Sequence, residues 1–472
     1  MQQQIIILTK ILQVMIKATK IFSLILLLAI LPLGCMVGPK YAKPEEQKLT
    51  SYKYGPEVAD TLANVTNLKW FDLFNDPVLN DLITKGLANN YDLKIAVARI
   101  EKLRAELGMS KANLYPSIGY SAQVNTGNKL SDSYNPSTAG ISMSWELDFW
   151  GKFRHENNAI QNELLGTEEA RKVVLSDIVS NIAIAYFQMR NLDEQLEIAN
   201  RTLEVRQKSF NIINDRFKGG YVSEVDKLQI EQQVAIAEAT IPRIKREITY
   251  QENVISIYTG EILQNVPRGK TNPELRVNNE IPLSLPSELL ENRPDVKAAE
   301  LTYKAANERI GVAVAMRYPS FNLAALAGFA SGSLSNLFIG SSYVQNAGGG
   351  VFGPIFSFGK NKRRVEAFKQ QAEEDKLQYQ KTFIVAVSEV QQSIQNVNMY
   401  KEEWAARNKQ VEAAKLNYQL SYARYDNGYV SYLEVLDVER ALFEAQLDLA
   451  QLTERQLSSM VELYKALGGG WN

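Results

Sequence analysis

RFKGGYVSEVD at residues 216–226 and RYDNGYVSYLE at residues 424–434 are two copies of one turn. Arg216, Gly220, Tyr221, Val222 and Ser223 recur as Arg424, Gly428, Tyr429, Val430 and Ser431. Each copy interrupts a long helical pattern with Gly and reopens one with Ser. A glycine takes the positive-φ position that ends a helix, and Ser223 or Ser431 can cap the next by accepting an orphan N–H. Each stretch is therefore read as the tip of a helical hairpin.

Outward from the tips, the helical signal is long. Before the first, Ile178, Ile182, Ala185, Met189, Leu192, Leu196, Ala199, Leu203, Phe210, Ile213 and Phe217 fall at alternating steps of four and three. Only Arg206 interrupts this heptad seam, the pattern of helices running side by side. The return helix runs from Val222 to about Tyr258, with Pro242 as a kink or joint inside it. Residues 260–290 carry Pro, Asn and Gly and read as a small irregular region.

The programme then repeats. NRPDVKAAELTYKAANERIGVAVAMRYPSF at 292–321 answers NNYDLKIAVARIEKLRAELGMSKANLYPSI at 89–118. Asp92 matches Asp295 and Pro116 matches Pro319, both displaced by about 203 positions, as an internal duplication requires. The last helix has two apolar stripes, one through Val435, Val438, Leu442, Ala445, Leu449 and Leu452, the other through Leu433, Leu436, Phe443, Leu447 and Leu457. Two stripes suit a helix flanked on both sides.

Between the helices the period falls to two. Ile118, Tyr120, Ala122 and Val124 alternate with Ser117, Gly119, Ser121 and Gln123, as Ile141, Met143, Trp145, Leu147 and Phe149 do with Ser142, Ser144, Glu146 and Asp148. Strict alternation means one apolar and one polar strand face, at a length near that of a strand crossing a bilayer. A second pair is expected at roughly 318–330 and 347–358, with Phe321, Leu323 and Phe329 on one strand face and Phe352, Phe356 and Phe358 on the other strand's.

Lengths give an architecture. The long helix of about 65 residues spans roughly 100 Å, and the return helix of about 38 only roughly 57 Å. The helix of about 22 residues before each strand pair adds roughly 33 Å. Each half is then one continuous and one jointed rod, with a β-hairpin at one end and the Gly tip at the other. The segmentation is a targeting segment at 1–34, an arm at 35–75, a first repeat at 76–265, a linker at 266–290, a second repeat at 291–467 and a tail at 468–472. The two β-hairpins fall at about 115–149 and 318–358.

The ends and the composition narrow the function. Lys10, Lys17 and Lys20 precede an apolar run from Ile21 to Leu31, and Gly34-Cys35 follows, which describes a signal peptide too short for a comfortable span. Met15 is an alternative start. Cys35 after Gly34 resembles a bacterial lipobox, with Pro32 where Leu is usual, and acylation there would hold the arm at a membrane. The 472 residues carry net charge −1, which gives no field for nucleic acid. With one His and one Cys, neither a metal cluster nor a His-based triad is expected, and no cofactor or catalysis is read. Four strands cannot close a barrel, so closure must come from other subunits. The physical reading is an α+β membrane protein, an oligomeric tube embedded at its hairpin end.

These features together resemble the outer membrane factor family, the TolC-like exit ducts of bacterial efflux pumps, and its lipoprotein branch working with RND pumps. The resemblance is carried by GCMVGPKY (34–41), SWELDFWGK (144–152), NRPDVKAAE (292–300) with IGVAVAMRYPSF (310–321), GPIFSFGK (353–360), the two tips and ALGGGW (466–471). It implies a homotrimer with a twelve-stranded β-barrel in the outer membrane and a twelve-helix α-barrel in the periplasm. A periplasmic adaptor would dock at the tips, around Arg216, Gly220, Ser223, Arg424, Gly428 and Ser431, and join the duct to an inner membrane pump. Family gate positions map onto Asp226, Tyr425, Glu434 and Asp437. Glu434 and Asp437, three apart on one helix face, would form acidic rings favouring cations, and Asp226 with Tyr425 would hydrogen-bond between tips. A closure Arg of some members falls on Val430 here. A protein-secretion duct of the same fold and a non-transport coiled-coil scaffold are the competing readings.

Overall fold

The computed structural model describes residues 35–44, 75–125, 136–262, 265–275 and 293–469. The expected signal segment, most of the arm and the linker, and the end of the tail lie outside them. The chain divides into two compact units, one of residues 1–45, 100–166 and 299–379, the other of 46–99, 167–298 and 380–472.

The first unit holds a four-stranded antiparallel sheet in the order β1 (Ser117–Gln123), β2 (Ser137–Leu147), β3 (Ser320–Ser331), β4 (Tyr343–Phe352). Its register keeps the two-residue alternation in step. Ile118 faces Met143 and Tyr120 faces Ile141, while Trp145 faces Leu323 and Leu147 faces Phe321. The sheet therefore has one apolar face, and it is open: Ile118 is 72% exposed and Tyr120 90%. Large apolar side chains exposed on one side of a sheet mark a surface meant for another apolar medium.

The fourth strand corrects the sequence reading. It starts at Tyr343 rather than 347 and stops at Phe352, because Gly353-Pro354 follows and a proline has no N–H for the ladder. Phe356 and Phe358 lie beyond it, ring against ring at 4.5 Å. Phe352 pairs with Ser320, and Val351 is the residue that faces Phe321. Two 3-10 turns, Leu334–Asn336 and Gly340–Ser342, fold the connection between β3 and β4.

The helices carry the duplication in their lengths. Helix α1 is Pro77–Asn89 and α2 is Tyr91–Ala112. Helix α3 (Lys152–Lys218) and α4 (Glu224–Thr259) form the first hairpin, α5 (Pro294–Ala315) answers α2, and α6 (Lys360–Asp426) with α7 (Tyr432–Ala466) forms the second hairpin. Helices α3 and α6 are each 67 residues, α2 and α5 each 22. Pro242 does not interrupt α4, which continues through it as one helix.

In the second unit the core is built on the seam read from sequence: Ile178, Ile182, Ala185 and Met189 are buried, joined by Leu79, Ile83 and Phe187. A polar clamp sits within it. Fully buried Asp76 caps α1 by accepting from the N–H groups of Val78 and Leu79. Its other oxygen accepts from the Tyr186 hydroxyl at 2.9 Å and the Lys270 N–H at 3.1 Å. The Tyr186 hydroxyl also accepts from the Gly269 N–H, so the linker segment at 265–275 is bonded to α1 and α3. A buried carboxylate persists only when its lone pairs are used in this way.

Candidate functional site at the helical tips

Both tips are built by the same backbone device. In the first, Gly220 N–H donates to Phe217 O and Tyr221 N–H to Arg216 O, each at 2.9 Å. In the second, Gly428 N–H donates to Tyr425 O and Tyr429 N–H to Arg424 O, also at 2.9 Å. This paired bonding closes the last helical turn and needs a left-handed residue, and Gly220 and Gly428 have φ of 76° and 78°. A Cβ at either glycine would meet open space, so the demand is on backbone conformation alone.

The two reopening serines differ. Ser223 Oγ accepts from Asp226 N–H, and Asp226 Oδ2 accepts from Ser223 N–H at 3.0 Å and from its hydroxyl at 2.8 Å. This is a complete capping box. Ser431 makes no side-chain cap bond, which departs from the expected symmetry. Glu434, the residue three positions on, is engaged elsewhere. It accepts from Arg424 Nη1 at 3.0 Å and from the Ser421 hydroxyl at 3.3 Å.

The expected hydrogen bond between Asp226 and Tyr425 is replaced. The Tyr425 hydroxyl accepts from Arg216 Nη1 at 2.6 Å, and the guanidinium also lies 5.1 Å from the ring centroid. Burial pushes the Tyr425 hydroxyl above its usual pKa, with Arg216 pulling the other way. Around this bond an apolar cluster of Ile213, Ile230, Tyr432, Val435 and Leu436 packs the two tips together. Asp437, exposed, pairs with Arg440 at 3.4 Å. Both carboxylates of the expected acidic pair therefore carry an arginine partner within the chain, at separations and exposures where such pairing is weak.

The break in the α3 seam also has a partner that helical periodicity does not reveal. Arg206, the single break in the α3 seam, is 1% exposed. Its Nε donates to Glu439 Oε1 at 2.8 Å, its Nη1 to the Gln233 carbonyl at 2.9 Å, and its guanidinium carbon lies 5.3 Å from the Phe443 ring centre. Burial raises the Glu439 pKa and Arg206 opposes that shift. Tyr418, near the same carboxylate, is pushed up to about 12, first by burial and then by Glu439. A lone charge in a heptad seam was the available signal, and its partner was not in the sequence pattern.

At the chain's other candidate site, Cys35 is exposed and in no disulfide. The segment after it is docked on its own unit. Val37 N–H donates to Trp150 O, Asn307 Nδ2 to Pro39 O, and the Tyr41 hydroxyl to Glu300. Among the described residues no helix is long and apolar enough to cross a membrane, and no group of three or more His, Cys, Asp or Glu is placed to hold a metal ion.

A duplicated pair of long helical hairpins joined to a four-stranded sheet with an open apolar face defines a membrane channel subunit. The outer membrane efflux protein family model matches residues 82–261 and 285–469, and the chain belongs to that family. It is 32% identical over 455 residues to the solvent efflux pump outer membrane protein SrpC of Pseudomonas putida, across 93% of this chain and 96% of the relative. It is 30% identical over 448 residues to the cation efflux system protein CusC of Escherichia coli, again 93% and 96%. The open-state outer membrane channel MtrE of Neisseria gonorrhoeae superposes with a TM-score of 0.85 at 26% identity, covering 93% of this chain and 99% of that one. The protein is an outer membrane efflux channel, and the comparisons favour efflux over the secretion-duct and scaffold readings.

Proposed function

We propose that three copies of this chain assemble edge to edge into one exit duct of a tripartite pump. The observation that carries this is the sheet. Strands β1 and β4 each pair on one side only among the described residues, and a sheet edge in a bilayer leaves backbone groups unsatisfied. Pairing β1 of one copy with β4 of the next satisfies every edge, and three four-stranded sheets give a twelve-stranded barrel. Six long and six jointed helical runs would surround its periplasmic lumen.

In this reading residues 1–34 are removed, acylated Cys35 anchors the arm 35–75 in outer membrane lipid, and the repeats 76–265 and 291–467 flank a linker at 266–290, with 468–472 as a tail. The tips form the periplasmic mouth. Asp226, Tyr425, Glu434 and Asp437 act as its gate, and Arg216, Gly220, Ser223, Arg424, Gly428 and Ser431 present the surface on which a periplasmic adaptor docks. An inner membrane RND pump supplies the energy, and the chain performs no catalysis. Solvents and cations, the solutes in the relatives' names, indicate small-molecule cargo. Purified full-length protein should migrate as a heat-sensitive trimer and form channels in a planar lipid bilayer, with mass spectrometry of the mature N-terminus reading the acyl chains. A monomer without conductance would refute the assembly.

A further inference from the structure

Two separate buried apolar clusters join α3, α4 and α7 among the described residues. One buried cluster holds Leu192, Ile198, Ala199, Ile244, Ile248, Phe443 and Ala450. A second holds Ile213, Ile230, Tyr432, Val435 and Leu436, at the tips. Arg206 and Glu439 lie between them, and the one guanidinium bonds α7 through a carboxylate and α4 through a backbone carbonyl. By helical rise, Arg206 stands roughly 21 Å from Gly220.

The duplication shows that this is not a feature of the repeat. The matched position to Arg206 in α6 is Ala414, and the match to Glu439 in α4 is Glu231, which is exposed. Only one of the two related helix faces received a buried charge pair. Such pairs add little net stability compared with apolar residues of the same size, because desolvation offsets the attraction. Their attested use is to fix register, since sliding either helix would strand a charge without its partner.

We propose that the Arg206–Glu439 pair is the fulcrum of the mouth: it fixes the register of α7 on the first hairpin, so that opening rearranges only the tip cluster below it. Arg206 and Glu439 are positioning residues, acting through Tyr425, Glu434 and Asp437, and the inference rests on the reading of those residues as the gate.

Hydrogen exchange on the wild-type detergent-solubilised trimer tests the boundary directly. Amides of 432–438 should exchange at least about tenfold faster than those of 443–452, with the step at Glu439. A smooth gradient through Glu439 overturns the proposal. Bilayer recordings test the function. Arg206→Met with Glu439→Leu should keep the trimer and its melting temperature yet split the single conductance level into several, while Arg206→Lys with Glu439 intact, which keeps the charge pair, should keep one level. Glu434→Gln with Asp437→Asn serves as the gate control. If that control raises conductance and the apolar pair behaves as wild type, the fulcrum falls and the gate stands. If neither changes conductance, the gate reading falls and takes the fulcrum with it.

Discussion

Arg216 of the first tip and Tyr425 of the second are joined by a 2.6 Å hydrogen bond across 209 positions of sequence. The half-buried phenol accepts from a guanidinium, so the bond is charge-assisted, and it ties the two tips beside their shared hydrophobic cluster. Tyr425→Phe removes the acceptor with little change in volume. A double-mutant cycle with Arg216→Ala should return a coupling of about 1.5 kcal/mol, the low end for a bond to a charged group because both side chains are partly exposed. Single-channel recording should show a higher open conductance for Tyr425→Phe, and an unchanged trace would remove this bond from the closure.

Glu434 and Asp437 offer a second lever. Their arginine partners are in the same chain, so the charge each presents is partly offset. Replacing both with Ala should raise conductance and weaken block by cations added on the periplasmic side. Arg424→Ala should do the opposite to block, because it frees the Glu434 carboxylate. Equal block in all three proteins would mean that these groups do not face the ion path.

At Gly220 and Gly428, an L side chain must adopt the left-handed region at a cost of roughly 1–2 kcal/mol, less for Asn than for Val. Since a Cβ there meets no neighbour, the trimer should survive and the loss should appear in drug resistance. Disappearance of the trimer from outer membrane fractions would assign the glycines to folding.

The pH response has a defined sign. Burial holds the carboxyl of Glu454 above its ordinary value of 4.5, with Ser458 opposing the shift. As pH rises past that ordinary value the unfolded chain releases this proton first, so the folded state binds more protons and stability falls. Glu454→Gln removes the dependence. Its melting temperature relative to wild type should therefore be higher at pH 7 than at about pH 5, and a constant difference would contradict the assignment.

Arg293, from the NRPDV segment, donates to Asp295, to Glu389 at 2.6 Å, and to the Ala466 carbonyl at 3.1 Å, tying the start of α5 to α6 and to the end of α7. Arg293→Ala should destabilise the helical unit by roughly 1.5–3 kcal/mol, nearer the lower figure because Glu389 is half exposed. Thermal melting of the solubilised protein measures this, and Arg293→Lys should recover only part, since an ammonium lacks the forked geometry.

How far the sequence reached depends on the range of each signal. The seam Ile178–Ile182–Ala185–Met189 is legible because helical periodicity is local, and the glycine tips are legible because a left-handed residue is required where they stand. Strand β4 lies off its expected place because its run 343–352 contains three consecutive glycines and so little alternation to read. The gate candidates were named by resemblance, yet their partners were not. Asp226 turned inward to Ser223, and Tyr425 took Arg216.

By itself, then, the sequence determined the duplication, the helix and strand classes and the two tips, all of which follow from spacing within a few turns of chain. Only the tertiary structure decided which charge meets which. Arg206 and Glu439 are 233 positions apart, and a repeat period says that a helix has a buried face without saying what will be buried against it. The matching turns at 216–226 and 424–434 share a backbone and differ in chemistry, because side-chain partners are set by packing across the chain and backbone turns by the residues within them.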